Sequence, residues 1–162
     1  INKNSFIDKI AKIYPNIKLI IILREPISRA YSRYNNELMD RNNKPLTTLT
    51  KKKGDYINRG YYFEKLQYVY SKFPKENIYI GIAEEIKENK LVEYNKIYQF
   101  LGAKLLSTIN ENLDRHIRSY KNHLPRTMEL AMYKIYKPHN EKLYKLLGRR
   151  IESWEKYYQS LI

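Results

Sequence analysis

The chain has 162 residues, enough for one domain with a sizeable core, and its hydrophobic fraction of 43% argues against wholesale disorder. It contains no cysteine, which excludes disulfides, thiolate metal sites and cysteine nucleophiles. The formal net charge of +14 indicates an anionic partner, with a solvated lysine-rich surface as the alternative.

Several function classes find no support in the sequence. No apolar run approaches the ~20 residues of a membrane span, and no signal peptide is visible. The three histidines lack metal-ligand spacing, so we expect no metal site. There is no aromatic box or basic region of a specific nucleic-acid module. These features favour a cytoplasmic location, although the chain begins at Ile1, and residues expected upstream could carry an anchor.

The first elements alternate between helix and strand. Apolar spacing predicts a helix over 5–14 and a strand over 17–23. Residues 19–23 are apolar without alternation, which predicts a strand buried on both faces, as in a parallel sheet covered by helices. Pro26 can begin the next helix, predicted over 27–40, because a first-turn proline loses no hydrogen bond.

The middle of the chain repeats this order. The polar segment 41–55 is typical of a mobile surface loop. A helix is predicted over 62–73, a second strand over 77–83, and a further amphipathic helix over 91–101. Gly102 is a natural C-terminal stop for that helix.

The last part is predicted to be helical. Residues 103–125 read as irregular, and two helices are predicted within 126–160, broken at Pro138 and stopped at Gly148. The order of elements predicts a single α/β domain over 1–162, with a parallel sheet flanked by helices.

The end of the first strand is the best candidate for a ligand site. Ligands of open α/β sheets bind outside the carboxyl ends of the strands, where Arg24 lies, and a guanidinium can hold a phosphate through two parallel hydrogen bonds. Ser32 follows in the second turn of the next helix, so both side chains could grip one phosphate, aided by helix N–H groups. The alternative is a surface ion pair between Arg24 and Glu25, with no special role for Ser32.

The segment LREPISRAYSRY, residues 23–34, resembles the 3′-phosphate-binding motif of sulfotransferases that use 3′-phosphoadenosine 5′-phosphosulfate (PAPS). The motif runs Leu-Arg-x-Pro-x-x-Arg-Ala-Tyr-Ser-x-Tyr, and every fixed position is filled. This version is most similar to the branch containing heparan sulfate N- and 3-O-sulfotransferases and their bacterial relatives. The resemblance implies a P-loop-NTPase-like sulfotransferase fold with PAPS as donor and no metal. It also implies that Arg24 and Ser32 bind the 3′-phosphate, while Arg29 is a structural pairing residue.

The resemblance continues along the chain. Shorter segments match the family's order and spacing: Gly60, Tyr62 and Leu66, the strand end at 83–86, the helix end at 99–102, residues 138–148, and Trp154. Each match is weak alone, but their common order is specific.

Two departures affect the site. Residues 118–123 stand where the family has a loop, often Lys-Gly-Arg, that closes over the nucleotide, and the glycine is absent. The resemblance assigns Arg118 and Lys121 to the 3′-phosphate, with Arg115 as another donor and a solvated basic loop as the alternative. In addition, all five glycines lie downstream of Arg24, and none forms the Gly-rich 5′-phosphosulfate loop. The chain therefore resembles the C-terminal portion of the domain, with the catalytic base upstream and the catalytic residues unknown.

Three functions remain open. The first is a sulfotransferase that moves a sulfuryl group from PAPS to a hydroxyl or amine, with a glycan as one candidate acceptor. The second is a non-catalytic remnant of the fold that binds a nucleotide or polyanion. The third is a nucleic-acid binder driven by net charge, which would lose affinity steeply with salt.

Overall fold

A computed structural model describes residues 3–39, 46–50, 55–110 and 123–162. The chain forms two compact units, each assembled from separate stretches of sequence. The first, the sheet unit, comprises Ile1–Leu23 and Glu64–Asp114; the second, the helical unit, comprises Arg24–Phe63 and Arg115–Ile162. The expectation of a single domain over 1–162 stays a prediction.

The sheet unit contains two parallel strands, β1 (Leu19–Leu23) and β2 (Ile78–Ile82), in the register Leu19↔Ile78 to Leu23↔Ile82. One face of the sheet is covered by α1 (Lys3–Ile13) and by the part of α4 (Tyr62–Tyr70) that lies in this unit. A small apolar cluster fills the space between them, formed by Val69, Phe73 and Ile78 with half-buried side chains of α1 and β1 around it. The predicted parallel α/β arrangement is confirmed.

Two details of this unit differ from the sequence prediction. Ile20 and Ile22 of β1 are 41% and 45% exposed, so β1 is not buried on both faces among the described residues. Helix α1 packs through Ile7, Ile10 and Ala11 but leaves Phe6 exposed, although the apolar spacing that predicted this helix places Phe6 on the same face as Ile10. Apolar runs report how much apolar surface a segment carries, but not how many neighbours cover it.

The sheet unit continues with two helices after β2. Helix α5 (Ala83–Glu88) begins directly at the end of the strand, and α6 (Lys90–Leu101) follows it. Gly102 ends α6 in the left-handed conformation with φ of 75°, as predicted for a glycine stop. Within the described residues 103–110 there is no helix or strand.

The helical unit is built from α2 (Pro26–Met39), α3 (Asp55–Asn58), α7 (Arg126–Leu147) and α8 (Glu152–Leu161). A short 3₁₀ helix at Leu46–Thr50 packs on α3 and α7 with Leu49 fully buried, so this part of the predicted surface loop belongs to the core. Its flanking residues 40–45 and 51–54 lie outside the described ranges. The fully buried side chains of the unit include Ile27, Leu49, Ile57, Met132, Tyr136, Ile151 and Trp154.

Helix α7 passes through Pro138 without a break, which corrects the predicted interruption. A proline inside a helix removes one hydrogen bond and crowds the preceding turn. Here one face of α7 is buried on both sides of the proline, by Met132 and Tyr136 before it and Asn140, Leu143 and Tyr144 after it. That continuous burial offsets the local cost, and the helix ends only at Gly148, with φ of 69°.

Among the described residues, no helix has the length and apolar character that a membrane span requires.

Candidate nucleotide-phosphate site

The start of α2 is fixed by Glu25, which acts as its N-cap. One carboxylate oxygen accepts the N–H of Ile27 at 2.9 Å and the other accepts the N–H of Ser28 at 2.6 Å. Pro26 occupies the first helical position, where a missing N–H has no cost. The sequence Arg-Glu-Pro therefore ends the strand segment and begins the helix within three residues.

Glu25 is also the centre of a buried polar chain. Its side chain accepts a hydrogen bond from the Tyr158 hydroxyl at 2.8 Å, and that hydroxyl accepts one from Asn140 Nδ2 at 2.9 Å. Glu25 is 3% exposed, and burial raises the pKa of its carboxyl, opposed by the hydrogen bonds from Ser28, Ile27 and Tyr158. The chain ties the beginning of α2 to α7 and α8.

Arg24 stands next to this cap with its side chain exposed. Its backbone carbonyl accepts a hydrogen bond from the Tyr62 hydroxyl at 2.7 Å, which fixes the main chain at this point. Within the part of the chain that the structure describes, the Arg24 guanidinium has no hydrogen bond or ion pair. The alternative ion pair with Glu25 is not observed among the described contacts, since the Glu25 carboxylate is turned to the helix N-terminus and Tyr158.

Arg24 opens onto a cavity of about 250 Å³. Its lining comes from four parts of the helical unit: Arg24, then Ile27, Ser28 and Tyr31 of α2, then His123, Leu124 and Glu129 around the start of α7, and Tyr157 of α8. Complete small-molecule sites measure roughly 300–1,000 Å³. The cavity is therefore smaller than a complete small-molecule site and would hold one part of a larger ligand.

The two predicted phosphate ligands, Arg24 before α2 and Ser32 within it, differ in their relation to the cavity. Arg24 lines the cavity, whereas the half-buried Ser32 is not among the described residues that do. Ser28, one helical turn before Ser32, lines it instead. The pairing of Arg24 with Ser32 stays a prediction. Arg115, Arg118 and Lys121 lie outside the described residues.

One wall of the cavity carries an acidic group. The Tyr157 hydroxyl donates a hydrogen bond to Glu129 at 2.7 Å. Burial, followed by this contact with Glu129, raises the pKa of Tyr157. A ligand in this cavity meets a cation on the Arg24 side and a hydrogen-bonded carboxylate on the Glu129 side.

Arg29 has a structural contact, of the kind that the sequence predicted. Its guanidinium donates a hydrogen bond to the carbonyl of Tyr56. The Tyr136 hydroxyl donates to the carbonyl of Ile57 at 3.2 Å, so both side chains hold the α3 backbone. Arg29 Nε is buried without a hydrogen-bond partner in the described part of the chain.

The Arg-Gly-Tyr-Tyr segment at 59–62 packs against α7 and forms a hydrogen bond with the main chain at Arg24. Gly60 lies against Tyr136, and a Cβ atom at this position would come within 2.6 Å of its ring. Tyr61 stacks on His139 with ring centroids 3.9 Å apart, so His139 is a packing residue inside α7. Two residues after Gly60, the Tyr62 hydroxyl donates to the Arg24 carbonyl, so this short segment contacts both α7 and the main chain at Arg24.

Two further sets of side chains, the adjacent glutamates after β2 and the groups that could bind a metal, form no second ligand site among the described residues. Glu84 and Glu85 lie in the first turn of α5, which begins directly after β2. Among the described residues, no group of three His, Cys, Asp or Glu side chains could hold a metal ion.

Comparison with known proteins agrees with this architecture. The sulfotransferase domain family matches residues 9–157, and the chain belongs to this family. A carbohydrate sulfotransferase 15 from Nototodarus sloanii is 35% identical over 101 residues, covering 57% of this chain and 64% of the relative. The crystal structure of a sulfotransferase from Alicyclobacillus acidocaldarius is similar with a TM-score of 0.74 at 18% identity, covering 94% of this chain and 63% of that one.

These comparisons define an α/β sulfotransferase fold and a transferase family. The chain spans less than two thirds of the length of either relative. The assignment to the heparan sulfate N- and 3-O-sulfotransferase branch receives no specific support.

Sequence reasoning missed the cap and its network. Glu25, Tyr158 and Asn140 meet from distant parts of the chain, and glutamate is not among the preferred N-cap residues. The one local signal was an acidic residue directly before Pro26 at a strand-to-helix junction. Ser28 and His123 were likewise not chosen as cavity residues.

Proposed function

We propose that this chain supplies the 3′-phosphate grip for PAPS in a sulfotransferase reaction. The observation that carries the proposal is the Arg24 guanidinium, which lines a cavity and has no partner among the described residues. A guanidinium suits a phosphate because its planar fork matches two phosphate oxygens. The family membership supports PAPS as the donor.

The beginning of α2 adds further donors to this grip. Ser28 lines the cavity from the first turn of α2, and Ser32 follows one turn later. Because the Glu25 carboxylate already accepts the N–H groups of Ile27 and Ser28, the phosphate would rely on side chains more than on helix N–H groups. Arg24 and the serine hydroxyls are therefore the proposed ligands.

The acceptor is proposed to be a hydroxyl or amine, with a carbohydrate as the leading candidate. The support is the relative from Nototodarus sloanii, which is a carbohydrate sulfotransferase. Sulfuryl transfer needs a base for the acceptor's proton and cations for the departing phosphate. The chain has no Gly-rich loop with a lysine, so we propose that it corresponds to the C-terminal portion of a longer domain and that the base lies elsewhere.

A second candidate is nucleotide binding without catalysis. It rests on the same Arg24 cavity and needs no catalytic base. The two candidates share the donor site and differ in turnover. Release of 3′-phosphoadenosine 5′-phosphate (PAP) from PAPS in the presence of carbohydrate acceptors would support the enzyme.

The donor site is tested by calorimetric titration with PAP and with 5′-AMP at physiological salt. The wild-type chain is expected to prefer PAP, and Arg24→Ala is expected to weaken PAP binding far more than AMP binding. A hydrogen bond to a charged group contributes about 1.5–3 kcal/mol, so the loss should be roughly ten- to hundredfold.

The matched control is Arg33→Ala, which removes an exposed arginine of α2 that does not line the cavity. It removes the same charge and should change PAP affinity less than about twofold. Equal losses for the two variants, or equal losses on both ligands, would assign Arg24 to a generic basic surface and reject the proposed grip.

A further inference from the structure

His123 is the residue of the cavity to which no role has been given. It is exposed and lines the cavity together with Arg24. The next residue, Leu124, is buried with 9% exposure and lines the same cavity, and α7 begins two positions later at Arg126. Leu124 therefore anchors the main chain on which the imidazole is carried.

The groups that share this cavity with His123 come from each described element around it. Arg24 stands on the segment after β1, Tyr31 on α2, Glu129 on α7 and Tyr157 on α8. Glu129 is held by the Tyr157 hydroxyl at 2.7 Å. Among side chains of these types, imidazole is the one that ordinarily changes charge between about pH 5 and 8.

The chemistry of an imidazole changes strongly with its proton. Neutral histidine offers one N–H donor and one acceptor, whereas the imidazolium offers two donors and a positive charge. A phosphate bound next to Arg24 has further oxygens that can accept hydrogen bonds from a second cationic side chain. Hydrogen bonds between ionised partners are roughly twice as strong as neutral ones.

We propose that His123 is the second cation of the phosphate cavity and that its protonation makes donor affinity rise as the pH falls. The inference rests on the proposed function, because it assumes that a phosphorylated nucleotide occupies the cavity. Arg24 supplies the charge that is present at every pH, and His123 supplies the charge that depends on pH. Glu129 and the Tyr157 hydroxyl are left to contact hydrogen-bond donors of the ligand.

The test compares PAP affinity of the wild type and of His123→Gln across the titration range of histidine. The 3′-phosphate itself titrates near pH 6, so the two proteins are compared with the same ligand at each pH. We expect the wild type to bind PAP about three- to tenfold more tightly than His123→Gln at about pH 5.5, and both to bind alike at about pH 8.

His139→Gln is the matched control. His139 lies in the same unit but stacks on Tyr61 and does not line the cavity. The ratio between the PAP affinity of this variant and that of the wild type should not vary with pH. A loss at low pH in both histidine variants would point to a general charge effect and overturn the specific role of His123.

A second measurement does not depend on the variant folding. In the wild-type chain, a proton-NMR titration of the His123 ring should show a higher pKa with PAP bound than without it. No change in that pKa, or parallel pH profiles for wild type and His123→Gln, would reject the inference while leaving the donor site intact. Loss of any preference for PAP over 5′-AMP in the wild type would reject the proposed function itself.

Discussion

The sheet unit and the helical unit are stabilised in different ways. The core of the sheet unit is apolar, with Val69, Phe73 and Ile78 at its centre. The helical unit instead buries Glu25 and Asn140, each 3% exposed, and joins them through Tyr158. An apolar core tolerates approximate fits, whereas a buried polar chain requires every partner to be present. The helical unit, which carries the cavity, should therefore be the more sensitive of the two to single substitutions.

The largest expected effect comes from Glu25→Ala. Removing this carboxylate takes away the cap of α2 and the acceptor of the buried Tyr158 hydroxyl. A lost cap and an unsatisfied buried donor together should lower the free energy of unfolding by about 3 kcal/mol. Urea unfolding followed by circular dichroism measures this change.

Glu93→Ala is the matched substitution in the sheet unit. Glu93 is also buried, with 6% exposure, but its partner is Lys96, whose side chain is 54% exposed. Such a pair contributes about 0–1 kcal/mol. Equal losses for the two glutamate variants would contradict the contrast between the units.

The pH dependence of stability should also trace to Glu25. Burial raises its pKa in the folded state above the ordinary value of 4.5, despite its hydrogen bonds. As the pH rises past 4.5 the unfolded chain releases this proton before the folded chain does, so the contribution to stability declines until the folded pKa is passed. Glu25→Gln should remove this decline, which begins as the pH rises past 4.5, in urea unfolding. An unchanged pH profile in the variant would mean that another group is responsible.

Two glycines give a second pair for the same comparison. A Cβ at Gly60 would lie 2.6 Å from the Tyr136 ring, which is fully buried. A Cβ at Gly81 would lie 2.7 Å from Ile22 Cδ1, which is the end of a side chain that is 45% exposed. The ring cannot move away, but the isoleucine can. Gly60→Ala should cost about 2 kcal/mol and Gly81→Ala less than about 1 kcal/mol, as measured by thermal unfolding. A larger loss at Gly81 would reverse the ranking of the two units.

The same difference explains what the sequence could predict. Strands, helix ends and the parallel sheet follow from local apolar spacing and from stops such as Gly102. The errors arose where a distant contact decides the outcome. Pro138 stays within α7 because the helix is buried on both sides of it, and Ile20 is exposed because no described element covers it fully.

The same distinction between local sequence signals and distant contacts applies to the candidate site. Arg24 could be chosen from its position after an apolar strand, because that reasoning is local. The Tyr158 hydroxyl that meets Glu25 lies 133 positions away in the chain, and no spacing rule connects them. His123 was equally out of reach, since no spacing rule connects it to Arg24, with which it lines the cavity.

The smallest expected effect separates positioning from stability. Tyr62 contacts the cavity residue Arg24 through its hydroxyl, which donates a hydrogen bond to the Arg24 carbonyl at 2.7 Å. Tyr62→Phe keeps the ring, which packs near Trp154, and removes the hydrogen bond to the Arg24 carbonyl. We expect a loss of about 1 kcal/mol in the free energy of unfolding and about a threefold loss of PAP affinity, because the Arg24 main chain is held less firmly.

Tyr68→Phe provides the control, since it removes a hydroxyl that donates to Asp8 at 2.7 Å in the sheet unit. This variant should leave PAP affinity unchanged. If both tyrosine variants lower the affinity equally, the loss reflects general destabilisation of the fold. Alternatively, Tyr62→Phe lowers the PAP affinity while the variant is still fully folded, and Tyr68→Phe does not. In that case Tyr62, the second tyrosine of the Arg-Gly-Tyr-Tyr segment, positions Arg24 for the phosphate. Its place in the sequence alone does not reveal this role.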